Sequence, residues 1–201
     1  FAGSSISHSL QRLAMRIIRG RLQRRLIHVP PGLPVRPTTD LAKESLFNIL
    51  ENDLDFEGLN ALDLFSGTGS ISYELVSRGC RSVTAIDENS KCIQFISDTA
   101  KKFEMPNLRA IRADVFRFLS SLSAPLGLIF ADPPYEMEPE RFHEIVRLVF
   151  ERSLLEQEGV LVIEHPKNVD FMGHPYLFDV RKYGKVHFSF FGLQVENDEG
   201  V

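Results

Sequence analysis

The chain is predicted to fold as an α/β domain around one mostly parallel sheet, and three observations carry that prediction. Apolar, strand-length runs alternate with helical stretches from about residue 59 to residue 165. The first run (Leu59 to Leu64) ends in a glycine-rich turn, Asp63-Leu-Phe-Ser-Gly-Thr-Gly-Ser70, that opens a helix. Two aromatic, extended segments close the chain, Tyr176 to Tyr183 and Lys185 to Leu193, joined at Gly184. They read as a hairpin that completes a seven-stranded sheet and adds a final antiparallel strand at its edge.

Taken in order, residues 1–14 are serine-containing and lack the apolar core of a signal peptide, so they are read as a leader or remnant ahead of Met15. Arg16-Ile-Ile-Arg-Gly20 and Arg24-Arg-Leu-Ile-His-Val29 have the β-branched content of two short strands around a polar turn. Residues 15–35 are thus expected to form a basic β-hairpin arm, ended by the Pro30-Pro31-Gly32 linker. From Thr38 the pattern becomes helical, with Leu41, Ser45, Leu46, Ile49 and Leu50 at helical spacing and Thr39 or Asp40 able to cap the start. Strands are expected near 59–64, 82–87, 108–112, 126–131 and 159–164, and helices near 70–78, 89–103, 114–121 and 140–154. Regular alternation of this kind requires right-handed crossovers, with helices on both faces of the sheet. The main domain spans 36–195, and 196–201 form a tail.

A length of 201 residues with 43% hydrophobic content supplies one core and no second large domain. No apolar run approaches the ~18–20 residues of a membrane span. Cys80 and Cys92 stand in no metal-ligand or redox spacing, which points to a reduced cytosolic protein with incidental thiols. The net charge of −4 conceals an asymmetry: residues 1–43 hold eight Lys or Arg against one acid, a net +7, and the remainder carries −11. A basic arm on an acidic body suits docking to a polyanion, through Arg16, Arg19, Arg21, Arg24, Arg25 and Arg36. A solvated basic hairpin is the plainer reading of the same residues.

In the turn after the first strand, Gly67 and Gly69 permit backbone angles closed to other residues and let a ligand approach the main chain. The following helix N-terminus can offer it amide groups. A dinucleotide fingerprint would carry a third glycine where Ser72 stands. The spacing Asp-x-x-x-Gly-x-Gly resembles instead the first motif of class I S-adenosylmethionine (AdoMet) methyltransferases, although a structural turn would look the same. Asp87 ends the next apolar strand, where an acid accepts ribose hydroxyls or caps a helix. Asp114 follows the third strand, where it can accept the adenine amino group beside the Val115 amide, or cap its own helix.

Asp132-Pro133-Pro134-Tyr135 follows the fourth apolar strand and carries the chemistry. An amine conjugated to a heterocycle is a poor nucleophile, because its lone pair is delocalised. The Asp132 carboxylate and the Pro133 carbonyl, stiffened by two fixed proline φ angles, can accept its hydrogens and aim its lone pair. Tyr135 offers a face on which an unstacked base can lie. A proline-rich loop with an aspartate cap is the bland alternative. Glu164-His165 ends the fifth strand without an assignable chemical role, and His165 reads as a satisfied core or loop residue.

Met15-Arg-Ile-Ile-Arg-Gly20, Arg36-Pro-Thr-Thr-Asp40 with Glu44-Ser-Leu-Phe-Asn48, the Asp63–Gly69 turn and Asp132–Tyr135 together resemble the bacterial RsmD-type rRNA guanine-N2 methyltransferases, over residues 15 to about 192. The resemblance implies a class I, Rossmann-like methyltransferase fold and methyl transfer from AdoMet to the exocyclic N2 of a guanine in 16S rRNA, within an assembled or assembling small subunit. It implies that Arg36, Pro37, Thr38 and Thr39 line the cofactor and base pocket, with Thr39, Glu44 and Phe47 near the methionine end of AdoMet. Asp63, Phe65, Gly67, Gly69, Asp87, Asp114 and Val115 would complete the cofactor site, and Pro134 would touch the substrate. A metal-free, cytoplasmic monomer is expected. An adenine-N6 DNA methyltransferase would use the same tetrapeptide, but no target-recognition insertion is visible. A non-catalytic rRNA-binding assembly factor would keep the fold, and a nicotinamide-dependent oxidoreductase is disfavoured by the missing third glycine.

Overall fold

The computed structural model describes residues 14–33 and 40–193. Two short strands, β1 (Ala14–Arg16) and β2 (Leu26–His28), pair antiparallel as an arm. The main domain runs α1 (Asp40–Asp53), β3 (Asn60–Leu64), α2 (Ser70–Ser77), β4 (Ser82–Asp87), α3 (Ser90–Lys102), β5 (Leu108–Arg112), α4 (Val115–Ser121), β6 (Leu126–Ala131), α5 (Pro139–Glu151), β7 (Leu155–His165), β8 (Leu177–Tyr183) and β9 (Val186–Gly192). The seven strands lie in the order β5-β4-β3-β6-β7-β9-β8. The first five are mutually parallel and β9 is antiparallel to both its neighbours.

The expected architecture is therefore present, with two corrections. The antiparallel strand is not at the edge: β9 inserts between β7 and β8, and β8 forms the edge. Strand β7 begins at Leu155 and α5 stops at Glu151, each earlier than the sequence pattern suggests. Ser153, with φ 53°, turns the chain there, and Leu154 accepts the Leu126 amide so that pairing starts early.

Alternation along the strands sorts the core into two layers. Ala61, Leu128, Phe130, Val160, Val162, Phe188 and Phe190 face the arm, α1, α2 and α3. Leu62, Leu64, Ile129, Ala131, Leu161, Ile163 and Phe191 face α4, α5 and the turn bearing Val169 and Phe171.

The arm packs along α2 and does not project as a free finger. Its strands are shorter than the sequence suggests: residues 17–25 form tight turns among themselves, and the Ile18, Arg19, Arg21 and Leu22 amides dock on α2. Glu74, fully buried, accepts the Ile18 and Arg19 amides at 2.9 and 3.0 Å. Ser77 accepts the Arg21 amide on its carbonyl and the Leu22 amide on its hydroxyl. Gly20 permits this contact, since a Cβ there would lie 1.8 Å from the Ser77 carbonyl oxygen. Lys43, counted above with the arm's positive charge, is buried: its Nζ donates to the Arg16 carbonyl at 2.7 Å and lies 3.8 Å from Glu74. Burial pulls its pKa below the ordinary lysine range, against the opposing field of Glu74. Arg78 closes the cluster on Glu74 and Glu51, with its guanidinium 4.4 Å from the Phe47 ring centre.

Candidate active site

Strand register brings the two motifs together. Leu64 of β3 pairs with Ala131 of β6, and the Asp132 amide donates to the Leu64 carbonyl, so the glycine turn and the Asp132 loop leave the sheet side by side. On the other flank Leu64 pairs with Ile86 and Asp87 with Arg112. The ends of β3, β4, β5 and β6 thus open together into a cavity of about 880 Å³. Carboxyl ends of parallel strands are where such sheets bind ligands.

The glycine turn works differently at its two glycines. Gly67 (φ 51°) lines the cavity with nothing closer than 4.0 Å to a Cβ placed there, so the main chain is open to a ligand. Gly69 (φ 83°) is the N-cap of α2, and its Cβ would meet Tyr73 at 2.8 Å and Ile96 at 2.9 Å. It serves close packing of α2 on α3 and, unlike Gly67, does not line the cavity. The α2 N-terminus is also partly spoken for, because Asp63 Oδ2 accepts both the amide and the hydroxyl of Ser72, at 3.0 and 2.5 Å. Burial pushes the Asp63 carboxyl up to about 7, and the two Ser72 hydrogen bonds oppose that rise.

Asp87 and Asp114 both line the cavity. Asp87 holds the glycine turn, accepting the Gly67 amide at 2.8 Å on one oxygen and the Asn89 amide at 2.8 Å on the other. It does not cap α3; Asn89 does, accepting from Lys91 and Cys92. Asp114 caps α4 through the Arg117 amide at 2.7 Å and also lines the cavity, beside buried Val115.

Asp132, Pro133 and Pro134 line the cavity beside the glycine turn. Tyr135 is not part of that lining; its hydroxyl donates to Glu164 Oε1 at 3.3 Å. Glu164, left without a role by the sequence, is thereby tied to the tetrapeptide from the end of β7. His165 is a satisfied core residue as expected, with Nε2 2.8 Å from the Ser189 hydroxyl and Nδ1 3.0 Å from the Pro166 carbonyl. Burial lowers its pKa.

Sequence reasoning missed Met15, Thr68, Phe116, Met137 and Arg141, which also line the cavity. Thr68 reaches Met15 of the arm at 3.1 Å, and the Arg141 guanidinium lies 3.4 Å over the Phe116 ring. Phe116 was legible as the residue after Val115; Arg141 was not, because it reaches back from the first turn of α5. The arm arginines are dispersed. Arg16 pairs with Asp40 at the cavity mouth, 3.2 Å apart. Arg19 pairs with Glu51, and Arg21 donates to the Glu104 carbonyl beyond the C-terminus of α3. Arg19 and Arg21 therefore sit at the end of α2 remote from the cavity, roughly 12 Å down an eight-residue helix. Arg24 and Arg25 are exposed near the arm's turn. Arg36, Pro37, Thr38 and Thr39 lie outside the described residues.

Among the described residues no His, Cys, Asp and Glu cluster could hold a metal, and no helix is long and apolar enough to cross a membrane. Both cysteines are buried and free, with their thiols pushed up to about 12 (Cys80) and 11 (Cys92) by burial.

The family model described as "Conserved hypothetical protein 95" matches residues 15–192. The chain belongs to this family, the RsmD type. It is 34% identical over 160 residues to "Putative rRNA methyltransferase YlbH" of Bacillus subtilis, covering 78% of this chain and 85% of that protein. "Ribosomal RNA small subunit methyltransferase D" of Buchnera aphidicola is 28% identical over 188 residues, covering 92% and 94%. The solved structure of "Putative methyltransferase yhhF from Escherichia coli" superposes with a TM-score of 0.77 at 26% identity, over 90% of this chain and 99% of that one. The fold is thus the class I methyltransferase fold.

Two positions that the RsmD resemblance assigns to the cofactor site, Glu44 and Phe47, do not line the cavity. Phe47 is fully buried in the core, with its ring 5.8 Å from that of Phe56. Glu44 is exposed on α1. The helical period explains both: α1 turns Phe47 toward α2 along with Leu46 and Leu50, and leaves Glu44 outside.

Proposed function

We propose that this RsmD-family protein is an AdoMet-dependent rRNA methyltransferase that methylates the exocyclic N2 of a guanine in 16S rRNA, in an assembled or assembling small subunit. It would act as a cytoplasmic monomer. Relatives named as rRNA methyltransferases support the rRNA reading. The observation that carries the chemistry is the Leu64–Ala131 pairing, which brings Asp132-Pro133-Pro134 beside the glycine turn in one cavity.

The wall chemistry fits a cationic cofactor. Asp40, Asp63, Asp87, Glu88, Asp114, Asp132 and Glu136 supply seven carboxylates, against one cation, Arg141, among the described lining residues. A dinucleotide's pyrophosphate would meet those acids, and the Gly67 amide that could have received it is already given to Asp87. AdoMet, when bound, supplies an electrophilic methyl group on a positively charged sulfur. Asp87 would hold the ribose hydroxyls, Asp114 with the Val115 amide the adenine, and Asp63 with the open main chain at Gly67 the methionine end.

The protein's own residues then do the remaining work. Asp132 and the Pro133 carbonyl accept the two N2 hydrogens and turn the nitrogen lone pair toward the cofactor side of the cavity. Asp132 takes up the proton released as the N–C bond forms, acting as an orienting acceptor first and a base second. Tyr135, held by Glu164, supplies the face on which the extruded guanine rests.

Incubation with labelled AdoMet and, in parallel, undermethylated small subunits, free small-subunit rRNA and duplex DNA tests the proposal, with the labelled nucleoside identified after digestion. Label in N2-methylguanosine from a ribosomal substrate is the expected result. N6-methyladenine in DNA would transfer the chemistry to the other base amine, and no label would leave a binding protein on a methyltransferase fold.

A further inference from the structure

Arg19 and Arg21 lie at the far end of α2, so beyond Arg16 at the cavity mouth and Arg141 in its lining, further cations near the cavity must come from another part of the fold. The C-terminal hairpin and the turn after β7 offer three lysines. Register fixes the level of the hairpin tip: Ala131 pairs with Ile163 of β7, His165 with His187 of β9, and His187 with Lys182 of β8. Lys182 therefore stands two residues beyond the row of Ala131, where β6 has already become the Asp132-Pro133 loop. It lies three strand spacings across the sheet, roughly 14 Å at ~4.8 Å each. Lys185 follows in the turn at Gly184 (φ 63°), and Lys167 follows the end of β7 in the turn closed by the Val169 amide on the Pro166 carbonyl. All three lysines are exposed.

The cavity itself is divided in the direction that makes this useful. The cofactor carboxylates Asp63, Asp87 and Asp114 lie at the ends of β3, β4 and β5, and the base-orienting loop leaves β6. On the flank of β6 away from those carboxylates, an RNA strand delivering a base to Asp132 has a route over β7, β9 and β8, which is the side where the lysines stand. Asp132 and Glu136 at the mouth would repel its phosphates unless cations lay close by.

We propose that Lys167, Lys182 and Lys185 form a phosphate-contacting surface for the single-stranded rRNA segment flanking the extruded guanine. This rests on the rRNA reading above. Lysines on an edge strand also discourage strand-to-strand association, and the test separates the two roles.

The measurement is binding of a fluorescent single-stranded rRNA segment to the full chain across a salt series, for wild type, the three single variants K167Q, K182Q and K185Q, and the triple variant. Counterion release predicts that the slope of log K against log salt falls by about 0.7 for each lost contact, so by about 2 for the triple variant, with RNA affinity near 0.15 M salt falling tenfold or more. The KM for RNA should rise in parallel, and an unchanged melting temperature reports that the fold is intact. Slopes and KM equal to wild type in a protein that does methylate RNA overturn the lysine surface alone, as does a variant that merely self-associates in light scattering with its RNA slope unchanged. A wild-type protein that binds no RNA overturns the rRNA reading and this surface with it.

Discussion

The Tyr135 hydroxyl donates to Oε1 of Glu164 at 3.3 Å, joining the loop after β6 to the last residues of β7. Glu164 is buried and rigid on a central strand, so it holds the ring of Tyr135 beside Asp132 without itself lining the cavity. Tyr135→Ala should lower methyl transfer to RNA by roughly 5- to 100-fold, since base–aromatic stacking contributes ~1–3 kcal/mol. Tyr135→Phe, which keeps the face and loses the hydrogen bond, should lose roughly 2- to 10-fold. Glu164→Gln retains an acceptor and should fall less than Glu164→Ala. Calorimetric AdoMet affinity that fell in parallel across this series would place both residues in the cofactor site instead.

Asp132→Ala is expected to reduce methyl transfer at least ~100-fold, in the range of a lost proton acceptor and orienting group. AdoMet affinity should stay within a few-fold of wild type, because the carboxylates proposed to hold the cofactor stand at the ends of β3, β4 and β5. Loss of cofactor binding in equilibrium dialysis would overturn the assignment.

The two glycines of the turn should separate experimentally. Gly69→Ala meets Tyr73 and Ile96 and must keep a positive φ, so it should destabilise the fold by about 2–4 kcal/mol, seen as a large drop in melting temperature. Gly67→Ala has open space but must also keep a positive φ, so it should lose only about 1–2 kcal/mol, less than Gly69→Ala, while weakening AdoMet binding through loss of backbone access. Equal stability losses in the two variants would show that packing governs both.

Undocking the arm offers a fourth test. Glu74→Gln leaves Lys43 and Arg78 short of their buried counter-charge, and breaking such a pair costs about 3–5 kcal/mol. Gly20→Ala forces a Cβ onto the Ser77 carbonyl. Both should expose residues 17–25 to limited proteolysis; an arm that stays protected would mean that apolar packing by Ile17, Leu22 and Ile27 suffices.

Asp63 sets a pH dependence whose sign follows from its raised pKa. Its folded value, about 7, exceeds its ordinary 3.8, so the stability it contributes is present below about 3.8 and lost as pH rises through about 7. A cationic cofactor favours the carboxylate and so releases a proton on binding near neutral pH. Calorimetry in buffers of different ionisation enthalpy should report that release in wild type and not in Asp63→Asn. An identical proton count in both would remove Asp63 from the cofactor's field.

By itself the sequence determined the strand and helix alternation, the two chemical motifs and the RsmD resemblance, because these depend on local periodicity and on residue types at fixed short spacings. It showed that Asp63, Gly67, Asp87, Asp114 and Asp132 stand at strand ends, and they share one cavity because parallel strands end together. Only the tertiary structure decided what long-range partners decide. Gly69 packs α2 on α3, Phe47 belongs to the core, Arg141 reaches the cavity from α5, and Glu164 holds Tyr135. The arm's fate turned on Glu74 and Ser77, more than fifty residues away, whose buried polar groups need partners that the arm's backbone supplies. A positive charge count cannot distinguish an arginine facing a phosphate from one facing a buried carboxylate. That difference is fixed by which groups the folded chain removes from water.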